Sequence, residues 1–87
     1  MSLIRIDTTE DVTVRCACGS PHSLEKIKSV YINTDNISSI IEDESPMAHD
    51  FRVYMTGTED YIISVYLSVI SDNSGIVSNI RNQLGMN

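Results

Sequence analysis

The stretch Phe51-Arg52-Val53-Tyr54-Met55, then Thr56-Gly57-Thr58-Glu59-Asp60, then Tyr61-Ile62-Ile63-Ser64-Val65-Tyr66-Leu67-Ser68-Val69-Ile70 decides the fold class. Side chains of an extended chain alternate between two faces. Phe51, Val53 and Met55 therefore share one side, with Arg52, Tyr54 and Thr56 on the other. Beyond the connection, Tyr61, Ile63, Val65, Leu67 and Val69 form an apolar row. Ile62, Ser64, Tyr66, Ser68 and Ile70 form a more polar one. Gly57 supplies the positive φ that short connections commonly need. The pattern predicts a β-hairpin with one apolar face.

Working outward toward the C-terminus, Ser71-Asp72-Asn73-Ser74-Gly75 reads as a turn, and Val77, Ile80 and Leu84 follow at the i, i+3, i+7 spacing of one helical stripe. Ser74 or a neighbour suits the start of that helix and Gly85 its end. A helix of about three turns is marginal alone and must dock. The nearest apolar surface is that of the hairpin, so the class is α+β.

Toward the N-terminus, Leu3–Ile6 reads as a short strand and Val12–Cys18 as a longer one, with Val12, Val14, Cys16 and Cys18 on one face. The two suggest a hairpin across the polar turn Asp7–Asp11, ended by Gly19-Ser20-Pro21. Residues His22–Ser29 fit a short helix or a loop. Val30–Ile32, the turn cluster Asn33–Asn36 and Ile37–Ile41 read as strand, tight turn, strand. Glu42–Asp50, with four acids and Pro46, reads as an exposed loop. The expected whole is one domain over residues 1–87: a small, hairpin-rich antiparallel sheet of about five to six strands, open or closed into a barrel, with one C-terminal helix.

Composition narrows the function classes. The chain has 87 residues, 41% hydrophobic and 21% charged, with a formal net charge of −6. A domain this size buries only about 60 to 65 per cent of its unfolded surface, so it has room for one core and its stability is modest. Small domains often gain stability from a metal, a disulfide or a second copy. Arg5, Arg15, Lys26, Lys28, Arg52 and Arg81 are scattered along the sequence. Affinity for phosphate backbones needs clustered cations, so a nucleic-acid partner is disfavoured, as is an anionic membrane. The run Glu42-Asp43-Glu44 has its plainest reading as a solvated loop rather than a mimic of nucleic acid. Asp7, Glu10 and Asp11 interrupt the place where a signal peptide would need its apolar segment, which points to the cytoplasm. Tyr61–Ile70 is about half the length of a membrane-spanning helix.

Cys16, Cys18 and His22 are the one group resembling a metal site, and they define the alternative reading of a small zinc-binding domain. Paired zinc cysteines usually stand two or more residues apart, and no second pair is present. The plainer reading continues the apolar face of Val12 and Val14 through both cysteines. Residues i and i+2 of a strand are near the outer limit for a disulfide. A cysteine nucleophile would need His22 or His49 as base, and both fall in expected loops. Glu42, Asp43 and Glu44 lack the ligand spacing of a calcium site. Tyr31, Tyr54 and Tyr66 would form an aromatic platform if they shared a sheet face. Tyr54 and Tyr66 fall opposite the apolar rows of their strands, as contact-forming tyrosines do.

Val30-Tyr31-Ile32-Asn33-Thr34-Asp35-Asn36-Ile37-Ser38-Ser39-Ile40, followed by a hairpin around Gly57 and a helix ending at Leu84, resembles the small FlbD-type flagellar accessory proteins and short phage proteins of similar build. It is also similar to the β half of LytTR response-regulator domains. The resemblance covers Val30–Leu84 and rests on V-x-I-N-x-D-x-I and the order of elements. Residues 1–29 have no counterpart in it. It implies a compact β-rich module that acts by binding. The DNA binding of LytTR domains is not carried over, because this chain lacks their basic character. The expected function is a non-enzymatic protein-interaction, assembly or regulatory module of a bacterium or phage, without cofactor. It would bind a protein partner or form a homodimer through Tyr54, Tyr66 and Ile62.

Overall fold

The computed structural model describes residues 3–18, 24–55, 62–70 and 74–86. Strands β1 (Leu3–Asp7), β2 (Val12–Cys18), β3 (Leu24–Ile27) and β4 (Ser29–Asn33) lead to a 3-10 turn over Thr34–Asn36. Strands β5 (Ile37–Glu44), β6 (Ala48–Met55) and β7 (Ile62–Ile70) and helix α1 (Ser74–Gln83) follow. The strands form a five-stranded antiparallel sheet in the order β3-β2-β7-β6-β5 and a separate two-stranded ribbon, β1-β4. The fold is thus a small, mostly antiparallel β structure with one C-terminal helix. Among the described residues no helix is long and apolar enough to cross a membrane.

The β6–β7 hairpin has the pairing its alternation demands, with Phe51 opposite Leu67 and Val53 opposite Val65. All four side chains are fully buried, as is Val69. Val14, on β2 opposite Leu67, extends the apolar face across the sheet. The connection expected at Thr56–Asp60 lies outside the described residues.

The pairing of β1 with β2 expected from the sequence is not formed. Both strands instead belong to the long arms of one bent hairpin. β2 pairs with β3, and β1 pairs with β4, from Leu3 opposite Asn33 to Asp7 opposite Ser29. The bend is built locally. The Thr9 amide donates to the Val12 carbonyl at 2.9 Å, and the Thr8 hydroxyl donates to the Ile27 carbonyl at 2.5 Å. Thr8 and Lys28 are bonded across the same corner, at 2.7 Å between amide and carbonyl. Strands that change sheets at such corners are a normal way to fold one layer over another. Ile6, Val30 and Ile32 of the ribbon thereby join the core of the five-stranded sheet.

The bend also removes the barrel alternative. The sheet remains open, with β3 and β5 as its outer strands, because β1 and β4 cover its apolar face instead of closing its edges. The chain has seven strands among the described residues, more than the expected five to six. The addition is β3, where a helix or loop was anticipated; four residues alternate too briefly to announce a strand. Val30–Ile32 and Ile37–Ile41 are strands but not partners. The Asn33 side chain accepts the Asp35 amide at 3.0 Å and carries the chain from the ribbon to the far edge of the sheet.

The anticipated loop Glu42–Asp50 is mostly strand. The reversal needs only Ser45–Ala48, where the Ser45 amide donates to the Ala48 carbonyl at 2.8 Å and the Ala48 amide to the Ser45 hydroxyl at 3.1 Å. Ser at the first position of a turn and Pro at the second are favoured residues, so Pro46 marks one tight turn. The acidic run lies on edge strand β5, where charge discourages further strand pairing.

Helix α1 buries Ile80 and, one residue past its end, Leu84, with Ile76 and Val77 packed alongside. Gly85, at φ +78°, ends it. The Met86 amide donates to the Arg81 carbonyl at 2.8 Å and the Gly85 amide to the Asn82 carbonyl at 3.1 Å. These are the two bonds of a Schellman cap. Among the described residues, ribbon and helix together cover one face of the sheet and leave the other open.

Candidate functional site

Strand register fixes what the open face presents. One row across the sheet runs Lys26, Arg15, Tyr66, Arg52, Ile41, on β3, β2, β7, β6 and β5 in turn. The next row runs Thr13, Ser68, Asp50, Asp43. On the other side of the first row lie Ala17, Ser64, Tyr54 and Ser39. Arg15, Lys26, Asp43, Asp50 and Arg52 are exposed, and Tyr54 and Tyr66 half-buried.

The centre of this face is organised around Arg52. Its guanidinium lies over the Tyr66 ring, 4.6 Å from the centroid, and donates from Nη1 to the Tyr54 hydroxyl at 3.4 Å. That hydrogen bond, chiefly, holds Arg52 above its ordinary pKa. Cation–π contact with a tyrosine fixes the plane of a long side chain. Ser68 Oγ donates to Asp50 Oδ1 at 2.6 Å in the neighbouring row. Around these groups lies a groove of about 420 Å3 lined by Thr13, Arg15, Ile41, Asp50, Tyr66 and Ser68 among others.

On the closed side a second polar cluster ties edge to helix. Glu42 Oε2 accepts from His49 Nε2 at 2.5 Å and from Arg81 of α1, through Nε at 3.0 Å and through Nη2. His49 was expected in a solvated loop. It is instead a buried residue of β6, its ring 5.1 Å from that of Phe51, because positions 49, 51 and 53 all face the core. Glu44 approaches its Nδ1 at 3.8 Å. The Arg81 hydrogen bond depresses the Glu42 pKa; burial opposes this and His49 adds to it.

A carboxyl group with a depressed folded-state pKa contributes stability that is fully present above its unfolded value and lost as pH falls through the folded one. The wild type should therefore lose about 1 kcal/mol more than Glu42→Gln on acidification through and below the ordinary glutamate range. Solvent screening of the half-exposed Arg81 keeps the contribution small. Urea unfolding of both proteins at a series of pH values checks this; parallel curves would show that the bridge contributes nothing.

Of the residues in the alternative zinc reading, Cys16 is buried on the core face opposite Val65. The Cys18 side chain and all of His22 lie outside the described residues. Among those described, no three His, Cys, Asp or Glu side chains converge as a metal would require. Tyr31 does not join the other tyrosines, because it lies on the ribbon, 59% exposed, 5.7 Å from the Arg5 guanidinium. Tyr54 and Tyr66 do share a face, bridged by Arg52. Ile62 pairs opposite Cys18 in β7, and its side chain lies outside the described residues. The Lys26–Arg15 neighbours and the Glu42–His49–Arg81 cluster escaped sequence reading. The alternation through His49, Phe51 and Val53 was the available signal for the second.

The chain matches no protein-family profile, and no curated protein or solved structure shows significant similarity to it.

Proposed function

We propose that this chain is a protein-interaction module that acts by binding rather than catalysis, and that its contact surface is the open sheet face around Tyr66 and Tyr54. Ile62 completes that surface in the sequence-based expectation. One observation carries the reading: ribbon and helix close one face of the sheet, while the other presents an ordered Arg52–Tyr66 stack with no layer over it among the described residues. Tyrosine and arginine are enriched at the centres of protein contacts, where large, orientationally fixed side chains give area at small entropic cost. The resemblance over Val30–Leu84 to small binding modules points the same way.

A photo-reactive amino acid placed at position 66, and separately at the exposed helix position 79, tests the reading in cells that carry the gene natively. Adducts with protein from position 66 and few from position 79 are expected. Equal yields, or none from position 66, would overturn it.

A further inference from the structure

The open face carries two like-charged cross-strand pairs. Lys26 stands directly opposite Arg15 between β3 and β2, and Asp43 directly opposite Asp50 between β5 and β6. Like charges in that position destabilise a sheet. Neither pair is neutralised among the described residues. Among the described residues, Arg5 and Arg81 form ion pairs, with Asp7 and Glu42, whereas Arg15, Lys26 and Asp43 make none; Asp50 is met only by the Ser68 hydroxyl.

The placement of the two pairs is symmetric about the middle of the sheet. β7 is the central strand; the basic pair occupies the two strands on one side and the acidic pair the two on the other, one row apart. A two-fold axis lying between two facing copies, inclined to the strands and crossing β7 between Tyr66 and Ser68, brings the basic pair of one over the acidic pair of the other. It does so twice per dimer. Such an isologous contact is how closed dimers form.

We propose that a second copy of this chain docks on the open face as a closed two-fold dimer, with Lys26 and Arg15 set against the partner's Asp43 and Asp50 and with Tyr66 near the axis. This rests on the reading of that face as a contact surface. Charge selects the occupant. The face presents the like-charged basic pair and the like-charged acidic pair on opposite sides of β7, so a second copy of the same face offers each pair its opposite. Five strands about 4.8 Å apart and about seven residues long present roughly 500 Å2. That is below the roughly 800 Å2 per partner of a standard interface and falls in the size class of weak, transient contacts.

Two double variants test the pairing: Lys26→Glu with Arg15→Glu, and Asp43→Lys with Asp50→Lys. The first makes both corners of the face acidic and the second makes both basic. Each alone should dimerise at least about 100-fold more weakly than the wild type, while an equimolar mixture of the two should restore a dimer containing one of each by native mass spectrometry. All four positions are exposed strand sites, and circular dichroism verifies folding. Should either double variant fail to fold, Arg15→Glu and Asp50→Lys as single variants repeat the same mixture. A wild type that stays monomeric to about 200 µM, variants that dimerise alone as the wild type does, or a mixture that stays monomeric would overturn the proposal. Photo-adducts from position 66 with a different protein, joined to any of these results, would leave the contact surface standing and remove the second copy as its occupant.

Discussion

Phe51→Ala should lower the unfolding free energy by about 3 to 5 kcal/mol, the range for a buried aromatic truncated to alanine. The ring is 1% exposed at the centre of the sheet, facing Leu67 on β7 and sharing the core with Val14, Val53 and Leu67. A domain of this length has a total stability of only about 4 to 13 kcal/mol, so the substitution removes roughly a quarter of it or more. Urea unfolding at a concentration low enough to keep the chain monomeric measures the change. A loss under about 1 kcal/mol would show that the core described around β6 and β7 is not the one that stabilises the protein.

Leu84→Ala should cost about 2 to 5 kcal/mol and release the helix. A ten-residue helix is too short to persist in water by its own hydrogen bonds, so its stability comes from the face it buries. Here that face is narrow: Ile80 and Leu84 are buried, and Ile76 and Val77 partly so. Losing Leu84 also weakens the approach of Arg81 to Glu42 and hence the tie to edge strand β5. The expected result is a melting point lower by about 10 °C or more together with reduced helical circular dichroism. An unchanged midpoint would mean that the helix does not pack on the sheet.

The parts of the fold legible in the sequence are those where one strand's alternation suffices. Phe51 and Val53, and Val65, Leu67 and Val69, were assigned to their buried face by parity alone, and the placing of Tyr54 and Tyr66 on the opposite side follows from the same count. The stripe of Val77, Ile80 and Leu84 announced the helix in the same way. Partner choice was not legible, because alternation says which way a side chain points and not which strand lies beside it. Leu3–Ile6 and Val12–Cys18 were both recognisable as strands, yet the hydrogen bonds at Thr8 and Thr9 turn the chain into a second layer between them. In Glu42–Asp50, the acids and Pro46 suggested a loop because edge strands are charged for the same reasons that loops are.

The proposed contact surface was legible in outline and not in detail. Its tyrosines were identifiable from parity within one hairpin. The like-charged pairs became visible only when register joined β3 to β2 and β5 to β6, since alternation within one strand does not say which residue of another strand stands opposite. On this proposal, stability lies on one face of the sheet and recognition on the other. A charge at Tyr66 should therefore leave the folded monomer intact and abolish association.

Sedimentation equilibrium of the wild type beside Tyr66→Glu, from about 1 to 200 µM at moderate salt, tests this most directly. The wild type should shift with concentration toward twice the 9.7 kDa chain mass, while the variant stays at the single-chain value. A wild type at the single-chain mass throughout, or a variant that dimerises as the wild type does, would contradict the account.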